Sequence, residues 1–185
     1  SASASKSVST LIDVATAAKA RNSDLAIEAA RAADVLSKGT STEAKVATAE
    51  AFEWKAIFSK DENETASLYK EAESAATAAV KVKPTAANLT LLAGIQEAQE
   101  SRVEQAYLTY QRALEITRKG GDKGTVALYR LFSIARTLQK PAEAKTWFQQ
   151  WVDIGGSTAY GWRTMGQYRD ELAEFADAGV AYERA

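Results

Sequence analysis

The chain has 185 residues, 46% of them hydrophobic, which is enough for one compact domain or one short solenoid and too apolar for global disorder. Its 23 basic and 24 acidic residues leave a net charge of −1, which excludes the strongly basic field that would draw nucleic acid or an anionic membrane surface. No Cys and no His are present, excluding disulfides, thiol nucleophiles, zinc-finger sites and the Ser-His-Asp triad, and no apolar run reaches the roughly 18 residues that span a bilayer.

The apolar share is dominated by alanine, the best helix former, and the only two prolines are Pro84 and Pro141. Long helices with short connections are expected. The opening Ser1-Ala2-Ser3-Ala4-Ser5 is of the small-residue kind that follows a cleaved signal peptide. It tilts the expected location toward export, to a periplasm or cell envelope, over the cytoplasm. Residues 1–6 are expected to be loose. Val8 to Arg21 and Leu25 to Ser37 read as two helices, with Asn22-Ser23-Asp24 supplying an N-cap and Ala26, Ala30 and Ala33 forming a small-residue face.

Gly39-Thr40-Ser41-Thr42 separates that hairpin from a helix over Glu43 to Ser59. Asp61-Glu62-Asn63-Glu64 is expected to break this helix early and to lengthen the turn. The next helix carries Tyr69-x2-Ala72-x3-Ala76-x2-Ala79 and ends at Pro84. Gly94 then precedes Ala106-x3-Tyr110-x2-Ala113-Leu114, and Lys119-Gly120-Gly121-Asp122-Lys123-Gly124 is a glycine-rich connection. That connection does not fit the phosphate-loop pattern, and no strand precedes it. Leu128, Leu131 and Phe132 lead to Pro141 at a turn and to Ala144-x3-Phe148-x2-Trp151. The last stretch reads Trp162-x2-Met165-Gly166, then Phe175 and Ala178-x3-Tyr182-x2-Ala185.

The small–bulky signature thus begins at Ala72, Ala106, Ala144 and Ala178, at spacings of 34, 38 and 34 residues, the longer one absorbing the glycine-rich connection. Small residues stand where two helices cross closely, and bulky ones fill the gaps beside the crossings. The pattern resembles the tetratricopeptide repeat (TPR) family over residues 53–185. The departures are Arg169 where a tyrosine is usual, with Tyr168 one place earlier, and Trp151 at a small-residue place. The resemblance implies an all-α, right-handed α-solenoid of about five antiparallel helix–turn–helix repeats. The expected pairs are 7–38, 42–84, 87–119, 125–154 and 159–185, within a single repeat domain over 7–185. Because the sequence stops at Ala185 partway through a second helix, the array is expected to continue or to be capped beyond it.

What the resemblance implies for function is a concave groove lined by the first helix of each pair. Carried onto this chain, the lining is Asn88, Leu91, Leu92, Ile95, Ala98 and Gln99, then Val126, Tyr129, Arg130, Ser133, Arg136 and Thr137. The last period adds Tyr160, Arg163, Thr164, Gln167, Asp170 and Glu171. The expected peptide-binding residues are Leu91, Leu92, Ile95, Tyr129, Arg130, Ser133, Arg136, Tyr160, Arg163 and Gln167. Aliphatic anchors in the middle and Arg and Tyr farther along suit a segment with apolar anchors and an acidic group. The competing reading is that the aliphatics pack between repeats and the arginines pair internally. The Lys and Asn set that clamps chaperone tails in the co-chaperone subclass is mostly missing.

No catalytic residue, metal site or cofactor is expected. The carboxylates of Asp61-Glu62-Asn63-Glu64 and Asp170-Glu171 read as solvated charge. Asn63-Glu64-Thr65 and Asn88-Leu89-Thr90 match the glycosylation acceptor, which is short and common by chance. Ten of the sixteen aromatics lie from Tyr129 onward, and Trp147 or Trp151 is expected to face outward. The expected function is a non-catalytic interaction module or assembly scaffold with a protein or peptide partner, without nucleic acid or membrane insertion. The alternatives are a self-associating array, homo-oligomeric through its C-terminal repeat, and the substrate-recognition part of an enzyme.

Overall fold

The computed structural model describes residues 2–155, 159–171 and 175–184, with the side chains of all of these except 2–4, 155, 159, 160, 162, 175, 176 and 182. Among the described residues there are ten α-helices, a single 3-10 turn and no strand. They fall into two compact units, Ser1–Ile116 and Thr117–Ala185.

The first unit contains α1 (Ala2–Ala18), α2 (Ser23–Leu36), α3 (Thr42–Phe58), α4 (Glu62–Val82), α5 (Ala86–Glu97), the 3-10 turn Glu100–Arg102, and most of α6 (Val103–Lys119). Each helix from α1 to α4 packs on its successor, and α1 also touches α3. First helices of successive pairs are therefore neighbours, as stacked hairpins require. The starts are set by short polar side chains that accept an otherwise unpaired backbone N–H. Asn22 accepts from Leu25 N at 3.1 Å, Ser41 from Ala44 N at 3.1 Å, Asp61 from Glu64 N at 2.8 Å, and Thr85 from Asn88 N at 3.1 Å.

Two expectations change here. The helix expected from Val8 begins at Ala2, so residues 2–6, expected to be loose, are helical. Neither Gly nor Pro interrupts the Ser–Ala stretch, and alanine favours continuation. The acidic run, expected to lengthen a turn, instead starts a helix: Asp61 is the N-cap of α4, and Glu62 and Glu64 lie in its first turn. Negative charge there offsets the positive end of the helix dipole.

Alanine builds this unit's core. Ala26, Ala30, Ala33, Ala72, Ala76 and Ala79 are all fully buried, at 0% exposure. A cluster around Phe52, Leu68, Leu92 and Ile95 supplies the larger apolar mass. The repeat-defining alanines Ala72, Ala106, Ala144 and Ala178 are all between 0% and 1% exposed, which is why the spacing could be read through them.

The second unit holds α7 (Thr125–Thr137), α8 (Pro141–Gly155), α9 (Ala159–Glu171) and α10 (Phe175–Glu183). Within it α7 packs on α8, α8 on α9, and α9 on α10. Pro141 opens α8, at the position where a missing N–H costs nothing. Here a cluster of rings joins the buried alanines Ala135, Ala144, Ala178 and Ala181. Phe132 lies 5.1 Å from Phe148 and 4.8 Å from Tyr168, and Phe148 lies 4.7 Å from Tyr168. Trp151, the departure from the small-residue rule, is buried, 5.5 Å from the Tyr129 ring. Trp147, the other candidate for an outward tryptophan, is half-buried.

The turns after α2, α6 and α7 share one device. After α2, Gly39 N donates to Asp34 O and Lys38 N to Val35 O; after α7, Lys140 N donates to Ala135 O and Gln139 N to Arg136 O. This is the Schellman closure, which needs a left-handed residue. Lys38 (φ 55°) and Gln139 (φ 56°) adopt that conformation despite having side chains, while after α6 Gly121 (φ 84°) supplies it without a Cβ.

Candidate protein-binding surfaces

The α5 part of the expected groove is engaged in the fold. Ile95 is fully buried and Leu92 is 6% exposed, both inside the core cluster, with Leu91 partly buried against it. These residues do not form an open apolar lining, because Leu92 and Ile95 pack in one cluster with Leu68, Ala72 and Ala76 of α4. Asn88 is buried and donates its amide to Lys83 O at 2.8 Å, so the sequon at this position is closed off, while Asn63 is exposed. Gln99 donates to Glu73 at 3.4 Å and to Ile95 O at 3.0 Å.

Glu73 on α4 is the hub of that network. It accepts hydrogen bonds from Arg102 and, at 3.0 Å, from Gln96, whose own oxygen accepts from Thr109 on α6 at 2.8 Å. Burial alone would push the Glu73 carboxyl up. The hydrogen bonds from Arg102 and Gln96, the Arg102 charge and the Gln99 hydrogen bond outweigh it, and the net displacement is downward. Glu53 on α3 behaves oppositely: burial and the neighbouring Glu50 charge raise it, against Lys19. Tyr69 is raised by burial and by the Glu53 charge. These perturbations come from packing and ion pairing on a helical scaffold. Among the described residues, no group of three or more Asp or Glu is arranged to hold a metal ion.

The α7 and α9 part assembles differently. Ser133, Arg136, Thr137 and Glu171, four positions placed in the lining by the repeat scheme, come together around one open cleft of about 540 Å³. Gln139, Lys140, Pro141, Ala144 and Tyr168 complete its wall. Arg136 pairs with Glu171, and its guanidinium lies 5.5 Å from the Phe132 ring centroid and 5.9 Å from that of Tyr168. The internal-pairing reading thus holds for Arg136. Glu171, expected to be solvated, is its partner.

Arg130, Arg163 and Gln167 are exposed. Tyr129 is half-buried against Trp151 and Phe132, with its ring committed to the core edge. Tyr160, Trp162, Phe175 and Tyr182 lie outside the described side chains, as does Ala185. Tyr168 was not singled out as a lining residue. Its place beside the expected tyrosine position, one residue before Arg169, was the available signal.

Solved structures similar to this chain share its fold at low sequence identity. One from a functional characterisation of Pseudomonas aeruginosa PilF superposes with a TM-score of 0.75 at 19% identity, covering 98% of this chain and 76% of that one. A crystal structure of MamA gives 0.74 at 13% identity, covering 97% and 90%. YrrB, described as a TPR protein with an unusual peptide-binding site, gives 0.67 at 15% identity, covering 94% and 82%. The chain has the tetratricopeptide fold. No protein-family model matches the sequence, and no curated protein matches it significantly. Identities this low carry the TPR architecture and leave the site residues to be argued from this chain alone. No helix among the described residues is long and apolar enough to cross a membrane.

Proposed function

We propose that this chain is a protein-interaction module that binds a peptide or protein segment over the exposed face of α7 and α9. The observation that carries this reading is the convergence of Ser133, Arg136, Thr137 and Glu171 on one cleft. Its wall offers hydroxyls, an amide and charges of both signs beside the Tyr168 ring, a mixture that matches the alternating donors, acceptors and apolar groups of a peptide. Arg136 is held in place by its ion pair and by two rings, so little side-chain freedom is lost when a ligand meets it. Arg130 and Arg163, exposed on the same two helices, add positive charge that favours an acidic segment. The TPR fold supports a binding role over a catalytic one.

The test is affinity capture from the native source with the unaltered protein and with an Arg130→Glu/Arg163→Glu variant, side by side. A protein retained by the first should be lost by the second, with affinity down at least about tenfold and a weaker dependence on salt. Unchanged affinity and unchanged salt dependence would remove this surface from consideration. Self-association is tested separately by light scattering over a concentration series.

A further inference from the structure

The first unit carries a cleft that the repeat scheme does not place in any groove. It lies at the ends of helices, between the α1–α2 turn and the α3–α4 turn, with a volume of about 460 Å³. Its floor is aromatic: Trp54 and Phe58, one helical turn apart at the end of α3, have ring centroids 5.0 Å apart. Phe58 is 65% exposed. A large apolar side chain left this open, inside a concave site, marks a place where something else packs.

The rim is cationic, with Lys19, Arg21, Lys55 and Lys60 against a single lining carboxylate, Glu64. Two of the four cations are already matched. Lys19 pairs with Glu50 at 2.7 Å, and Lys55 with Asp24 at 2.8 Å and Glu64 at 3.7 Å. The side chains of Arg21 and Lys60 make no ion pair among the described residues. They come from different turns, Arg21 from the first and Lys60 from the second. Two unmatched cations flanking an open aromatic floor complement a segment with carboxylates on either side of a large apolar side chain.

We propose that Trp54 and Phe58, between Arg21 and Lys60, form a docking site for an acidic peptide segment with one large apolar anchor. The anchor covers the two rings, and the flanking carboxylates meet the two cations. The site is independent of the reading given to α7 and α9.

The test is a titration of the full isotope-labelled chain, followed by NMR at the Trp54 indole N–H, which a Trp54→Phe variant assigns. The probe is a short blocked peptide with acidic residues on both sides of a Leu-Phe pair. Two controls replace its acids by Lys or its Leu-Phe by Ser-Ser. The acidic probe should shift the Trp54 indole saturably with a Kd below about 1 mM. Each control, and an Arg21→Glu/Lys60→Glu variant of the protein, should weaken binding at least about tenfold, because each removes one half of the match. The variant should melt with the parent, since both side chains are exposed and unpaired. No Trp54 shift, equal binding of the basic probe, or unchanged affinity in the variant would each overturn the assignment.

Discussion

The two units make helical hairpins from different side chains. In the first, alanines at 0% exposure line the crossings on α2 and α4, and the larger residues are few. In the second, Phe132, Phe148, Trp151 and Tyr168 form one ring cluster with centroids 4.7 to 6.4 Å apart. Small crossing residues let helices approach closely and leave no room for growth, whereas interlocked rings concentrate stability in a few large groups. The same architecture is therefore sensitive to added volume in one unit and to lost volume in the other.

That contrast can be broken by direct substitution. Phe132→Ala should be the largest effect, about 4 kcal/mol of stability lost in denaturant unfolding, because it empties the middle of the ring cluster. Ala76→Leu should cost about 3 kcal/mol, since a side chain at 0% exposure on α4 has no space to grow into. Comparable losses from Ala76→Gly and Ala76→Leu would refute the claim that added volume is the hazard there.

Polar groups sharpen the comparison. Glu73 ties α4 to α5 and the 3-10 turn, and Glu73→Ala should cost about 2 kcal/mol by leaving Gln96 and Arg102 without their acceptor. The Glu73 carboxyl is depressed in the folded chain. Its contribution is thus fully present above the ordinary value of 4.5 and is lost as pH falls below it. The gap between the melting curves of the parent and Glu73→Ala should be widest at pH 7 and should close as pH falls below 4.5. The smallest effect is expected at Gly94. An added Cβ would meet the Tyr110 hydroxyl at 3.7 Å, an ordinary contact, so Gly94→Ala should stabilise α5 by about 0.5 kcal/mol through helix propensity.

Much of the fold was legible in the sequence, because alanines buried at crossings recur at nearly constant spacing and Asn22 and Pro141 sit at helix starts. The start of α1 and the role of Asp61 were less so. Both turn on whether a polar residue caps a helix or interrupts one, and the same residue types do either. The site was legible in part. A repeat scheme says which way Leu92, Ile95 and Arg136 point from their own helices. It does not say that α4 covers Leu92 and Ile95, or that Glu171 waits for Arg136. The Trp54–Phe58 pair was visible as an i, i+4 aromatic step on a helix that also buries Phe52 on another face, which is more apolar surface than one neighbour can cover.

The central claim is that α7 and α9 present a binding face, and calorimetry on the captured partner with Thr137→Trp protein tests it most directly. Thr137 is exposed and lines the cleft, so an indole there blocks the opening without entering the core. Affinity at least about tenfold weaker, with the melting transition unchanged, is the predicted result. An equally tight complex would place the partner elsewhere on the chain and contradict the account.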